Sequence, residues 1–179
     1  PAQRKSMEDA IAVLKQAGAE VVDADIPSIV DARPGNNFLR WGTCAGPNDV
    51  HGKDANCSSA LKYGMKRDFN AYLTSLGDRA PVKTLTELRQ WNLAHANMGA
   101  IKYGQAQLDV SDEVDLERDR AKWEADRKKD IHLGATHGID EALTAHTLDA
   151  PLFPGPSGAA IAAKPGYPTV IVPFATVPN

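Results

Sequence analysis

Apolar positions along the chain alternate between helical spacing and short unbroken runs. Met7, Ile11 and Leu14 recur on one helix face, with Ala10 and Val13 beside them. Ser6 and Asp9 stand where a capping box would open that helix, and Gly18 where it would stop. Val21, Val22, Ala24 and Ile26 then read as a strand over 20–26, ended by Pro27. Leu61, Met65, Phe69, Tyr72, Leu73 and Leu76 predict a second helix, closed by Gly77. Thr84 and Glu87 form a capping box ahead of Leu88, Trp91 and Leu93, and a short helix follows over 100–108. The runs at 150–154 and 168–173 read as strands, and Val170-Ile171-Val172 has the continuous apolar character of a strand covered on both faces. Helices alternating with short apolar strands predict an α/β fold.

Three stretches depart from this rhythm. Residues 31–57 are punctuated by Pro34-Gly35-Asn36-Asn37, Gly42, Gly46-Pro47-Asn48 and Gly52 and read as one long loop. Residues 111–130 interleave opposite charges around Leu116 and Trp123, the pattern of a solvent-exposed helix. Asp109, Asp112, Glu113 and Asp115 are accordingly assigned to solvent, because paired-carboxylate catalysis needs a pocket that drives two pKa values apart. Gly134 and Gly138 read as helix breaks, with helix restarting over 139–148.

Composition narrows the function classes. The 179 residues are 42% hydrophobic and 24% charged, an ordinary globular balance with enough chain to bury a core. A net charge of -3 gives no sign of the basic face that nucleic acid would favour. No apolar stretch approaches the roughly 20 residues of a membrane span. The chain opens on Pro1 without a signal pattern and stops just after its last strand-like run, so it reads as a segment of a longer protein.

Candidate chemistry is sparse. Cys44, His51 and Cys57 share the long loop, and a disulfide, free thiols and a metal set all stay open; zinc would ordinarily want four ligands. A Cys44–Cys57 disulfide would favour an exported protein, and free thiols a cytoplasmic one. His132 and His137 are five apart and do not share an α-helical face. Gly155-Pro156-Ser157-Gly158-Ala159 approaches the nucleophile-elbow pattern, but Ala159 replaces its last glycine, and the stretch reads as a turn.

An ordered set of stretches resembles the amidase-signature family. They are Gly18-Ala19-Glu20-Val21-Val22, Phe69-Asn70-Ala71-Tyr72-Leu73, Thr84-Leu85-Thr86-Glu87-Leu88 and Tyr103-Gly104-Gln105. Gly138-Ile139-Asp140-Glu141-Ala142-Leu143, Leu148-Asp149-Ala150 and Ala162-Ala163-Lys164-Pro165-Gly166-Tyr167-Pro168-Thr169-Val170 complete the set. The resemblance covers most of the chain outside 31–57 and implies that residues 1–179 are the C-terminal segment of a single amidase domain. It implies a mixed, twisted sheet surrounded by helices, and hydrolysis of a carbon–nitrogen amide bond by a serine, a second serine joined through a cis peptide, and a lysine. No cofactor and no metal is expected. The serine signature would lie N-terminal to this segment. Ser58-Ser59 lacks its flanking glycines and no lysine here matches, so no catalytic residue is assigned to this chain and its substrate-binding residues stay unassigned.

The expected partners are a small-molecule amide and the N-terminal half of the same protein, with neither nucleic acid nor membrane. By itself the chain is expected to form a homo-oligomer or aggregate. The alternative is a non-catalytic α/β binding module or a degenerate amidase homologue.

Overall fold

A computed structural model describes residues 2–176. Among them the chain is mainly helical, and the expectation of an α/β fold with a mixed, twisted sheet is overturned. The helices are α1 (Ala2–Gln16), α2 (Pro27–Val30), α3 (Ala60–Ser75), α4 (Leu85–Ala94), α5 (Ala106–Asp112) and α6 (Arg120–Ile131). A π-helical segment (His132–Ile139) follows, then α7 (Asp140–His146) and α8 (Ala159–Ala163). Strand among the described residues is confined to β1 (Gly42–Thr43) and β2 (Cys57–Ser58), paired in parallel with Gly42 opposite Cys57.

The three expected strands at 20–26, 150–154 and 168–173 carry no ladder. A helix closes its hydrogen bonds within its own sequence, whereas a strand exists only where a second backbone answers it. None of these runs meets such a backbone among the described residues. Pro27, expected to end a strand, instead opens α2, where its missing N–H costs nothing.

The helices follow the sequence more closely. α1 starts four residues before the expected cap, so Ser6 is internal and Asp9 pairs with Lys5 at 2.8 Å. Gly18 closes it at φ +95°, a left-handed conformation open to glycine. At α4, Thr84 accepts from the Glu87 N–H at 3.1 Å while the Glu87 carboxylate reaches the Lys83 N–H at 2.7 Å. The helix expected over 100–108 forms later, as α5.

Two compact units divide the chain, one spanning Leu39–Lys129 and the other made from the residues before and after it. In the Leu39–Lys129 unit, Cys44, Val50, Cys57, Tyr63, Val110 and Val114 form the core, with Leu116 and Trp123 packed against it. Tyr63 and Trp123 stack with ring centroids 4.8 Å apart. The supposed loop 31–57 thus contributes core residues, β1, the first residue of β2 and several 3-10 turns.

The other unit centres on the π-helical segment, which packs against α2, α7 and α8. Buried Leu133, Ile139, Ala142 and Ile161 form its interior. Gly138 does break the helical run, with a kinked, non-helical backbone at φ −120° and ψ −111°, whereas Gly134 stays helical; both mark close approach. A Cβ on Gly134 would stand 2.6 Å from Pro165 Cδ, and one on Gly138 2.5 Å from the Leu133 carbonyl oxygen.

Candidate functional site

The second unit contains a cleft of about 370 Å³. Its walls combine Ile139 and Leu143, Asp149 and Phe153, Ala162, and the extended stretch from Tyr167 to Ile171. The tight turn at Gly158 is what lets Phe153 reach this wall, since a Cβ there would overlap its ring. The lining is mostly apolar, with Asp149, Thr169 and Tyr167 as polar points, the character of a small-molecule site. The Tyr167 hydroxyl donates to Asp140, and that bond holds the phenol proton more tightly than usual. One wall is also a strongly exposed apolar stretch: Val170 is 86% and Ile171 74% accessible.

A polar cluster lies in the same unit. His137 Nδ1 stands 2.8 Å from Glu141 Oε2, and its Nε2 stands 3.2 Å from Asp31 Oδ2. Arg33 grips Asp31 through its side chain, at 2.6 Å from Nη2, and through its backbone N–H at 2.8 Å. These donors hold the Asp31 carboxyl well below the usual carboxylate range. The Glu141 carboxylate, and after it Asp31, raise the His137 pKa against the opposing effect of burial. His132 stacks on His137 with centroids 5.7 Å apart. The expectation that the two rings point apart assumed α-helical spacing; at i and i+5 they align because the segment is π-helical. Ser28, on α2, is fully buried with no hydrogen-bond partner for its hydroxyl.

Sequence reasoning missed this cluster. His137 and Glu141 stand four apart, a visible helical pairing, but Asp31 is 106 positions away from His137. Nothing local announces that partner.

The serine candidates are engaged structurally. Ser157 lies in a 3-10 turn, where its hydroxyl donates to the Pro154 carbonyl at 2.9 Å. Ser58 and Ser59 are buried, and the Ser59 hydroxyl donates to Asp126 at 2.6 Å. No described peptide bond is cis. Lys62 is buried and bonded to Gln107, and burial lowers its pKa. Neither place offers a hydroxyl poised beside a free base.

Cys44 and Cys57 form a disulfide across 13 positions, with both residues in the core. This overturns the free-thiol and metal readings of Cys44, His51 and Cys57. His51 instead meets Asp119 at 3.3 Å and Arg118 at 3.1 Å. Asp49, Asp54 and Cys57 bring ligand atoms within 4.8 Å of one another, but the Cys57 sulfur is already bonded and offers no thiolate. Asp49 serves the backbone, accepting from the Gly46 N–H at 2.6 Å.

The carboxylates assigned to solvent are partly built in. Asp112 receives Arg89 at 2.5 Å and Thr86 at 2.7 Å. Burial works to raise its pKa, but these donors and Lys66 outweigh it and the net shift is downward. Asp109 receives the same guanidinium at 2.6 Å, and Glu113 accepts from the Asn48 N–H at 2.7 Å. Asp115 caps the Arg118 and Glu117 N–H groups, which lower its pKa.

No described helix is long and apolar enough to cross a membrane. No family model, curated protein or solved structure matches this chain.

Proposed function

We propose that this chain is part of an amidase-signature hydrolase and supplies a wall of the substrate cleft, while the serine–serine–lysine chemistry is carried by residues outside it. One observation carries the reading. Three of the family-like stretches, 138–143, 148–150 and 162–170, are separate in sequence yet build the same cleft. Ile139 and Leu143 come from the first, Asp149 from the second, and Ala162, Tyr167 and Val170 from the third. The apolar lining suits the acyl or amine portion of a small amide.

The absence of a nucleophile–base pair at the serines described above supports a division of labour between this segment and another. The accessible wall from Val170 to Phe174 supports it too, because apolar backbone left in water is a surface that further protein covers. The disulfide adds a location: structural disulfides persist in oxidising compartments, which favours export.

The encoded reading frame is the first test. A Gly/Ser-rich serine signature upstream, preceded by a lysine, is expected, and the complete protein should hydrolyse a simple aryl amide while the isolated chain does not. A start codon at or near Pro1 would replace this reading with the non-catalytic one, a degenerate relative that binds without turning over. Mass spectrometry after alkylation without reductant tests the location. Cys44 and Cys57 should resist labelling in protein taken from its native compartment.

A further inference from the structure

His137 is placed between two carboxylates on two elements. At neutral pH carboxylate oxygens only accept hydrogen bonds, so both ring nitrogens must donate. A neutral imidazole has one N–H, and an imidazolium has two. The observed geometry, 2.8 Å to Glu141 and 3.2 Å to Asp31, is therefore that of the cation.

We infer that His137 is a proton-operated latch: charged, it ties the corner after α2 to α7 across the π-helical turn, and on losing one proton it releases one of the two carboxylates. The surroundings suit reversible release. Asp31 keeps Arg33 when the imidazole lets go, so it is not left unpaired. Glu141 is about half exposed, its side chain 48% accessible, so water can replace the lost donor. The fully buried, unpartnered hydroxyl of Ser28 lies beside Gly138, 3.4 Å from where a Cβ would stand.

The other charged groups facing the latch have their own partners. Asp140 on α7 accepts from Tyr167, and Lys164 next to α8 lies 3.3 Å from Asp130. His132 stacks on the same ring, with centroids 5.7 Å apart. Glu141, and after it Asp31, hold the His137 pKa above its ordinary value against the effect of burial. A raised pKa fixes the sign. The stabilisation is complete below the unfolded value of about 6.5 and is lost as pH rises through the higher folded value. Ile139 lies two positions from His137, across the kink at Gly138, and lines the cleft, which makes it the reporter of the proton state at the cleft wall.

Nuclear magnetic resonance of the 179-residue chain tests this. The five histidines are titrated from about pH 5 to about pH 9, with His137 assigned by its loss in His137→Gln. The His137 midpoint should lie above about 6.5, and the Ile139 methyl signals should move with it. Glu141→Gln and Asp31→Asn, which keep shape and remove one charge each, should both lower that midpoint. The Ile139 movement should vanish in His137→Gln. A wild-type midpoint at or below about 6.5, insensitivity to both carboxylate variants, or Ile139 signals that ignore the titration would each overturn the latch.

Discussion

Two stretches exchange the environments their composition suggests. Residues 111–129 are dense in charge, yet they are worked into the packing of the Leu39–Lys129 unit. Asp126 is 7% exposed, and its Oδ2 receives the Ser59 N–H at 2.8 Å, the Ser59 hydroxyl at 2.6 Å and Lys122 at 2.6 Å. Arg67 lies over the Trp123 ring at 5.1 Å, and Lys66 donates to the Asp112 and Val114 carbonyls. Residues 168–174 are strongly apolar, yet Val170, Ile171 and Val172 stand in water. A charge can be buried when donors converge on it, whereas an apolar run stays exposed if nothing arrives to cover it. Partner supply, more than hydropathy, separates the two.

The staple beside the charged network gives the largest test. Replacing Cys44 and Cys57 together by Ala removes a 13-position crosslink. The expected loss is about 3 kcal/mol in the chain-entropy model. Tryptophan emission reads this unit alone, since Trp41, Trp91 and Trp123 all lie within Leu39–Lys129. An unchanged denaturation midpoint would mean the network holds the unit without the crosslink.

Asp126→Ala comes next. It strands the Ser59 N–H and hydroxyl in a buried place, and a loss of about 2 kcal/mol is expected, read by the same emission. A surface-like effect under about 0.5 kcal/mol would show the charged run to be solvated after all.

Acid should act on the same unit. The pKa values of Asp112 and Asp115 are lowered, so their stabilisation is complete above the unfolded value of 3.8 and is lost as pH falls through their folded values. Asp112→Asn should flatten the acid limb of a stability–pH curve for Leu39–Lys129. An equally steep limb in the variant would assign acid sensitivity elsewhere.

The smallest effect on stability is expected in the apolar stretch. Val170→Lys with Ile171→Lys should change unfolding free energy by less than about 0.5 kcal/mol, because both side chains are already in water. Light scattering of the isolated chain should nevertheless fall, as charge on an open apolar backbone opposes association. A large destabilisation would mean these side chains are covered within the chain.

Much of the helical content was legible because its causes are local. The spacing from Leu61 to Leu76 marked α3, and Thr84 with Glu87 marked the start of α4, since capping spans only three or four residues. Gly18 closed α1 for the same reason. The strands at 20–26, 150–154 and 168–173 were misjudged because an apolar run carries no information about whether a second backbone will lie beside it. The latch was half legible: Glu141 stands one turn from His137, but Asp31 enters only through the packing of α2 on the π-helical turn.

The sequence by itself determined where helices can start and stop, that Cys44 and Cys57 could close the long loop, and that Ser58-Ser59 lacks glycine flanks. These are properties of neighbouring residues and their backbone freedom. The tertiary structure decided which charges are buried, that His132 and His137 share a face, and that three distant stretches line one cleft. Buried charges such as Asp126 depend on groups brought together across tens of residues, and the other two on how neighbouring segments pack. The π-helical geometry shows the division most directly. Five positions separate the two histidines in the sequence, and the π-helical segment that packs against α2, α7 and α8 brings their rings into a stack.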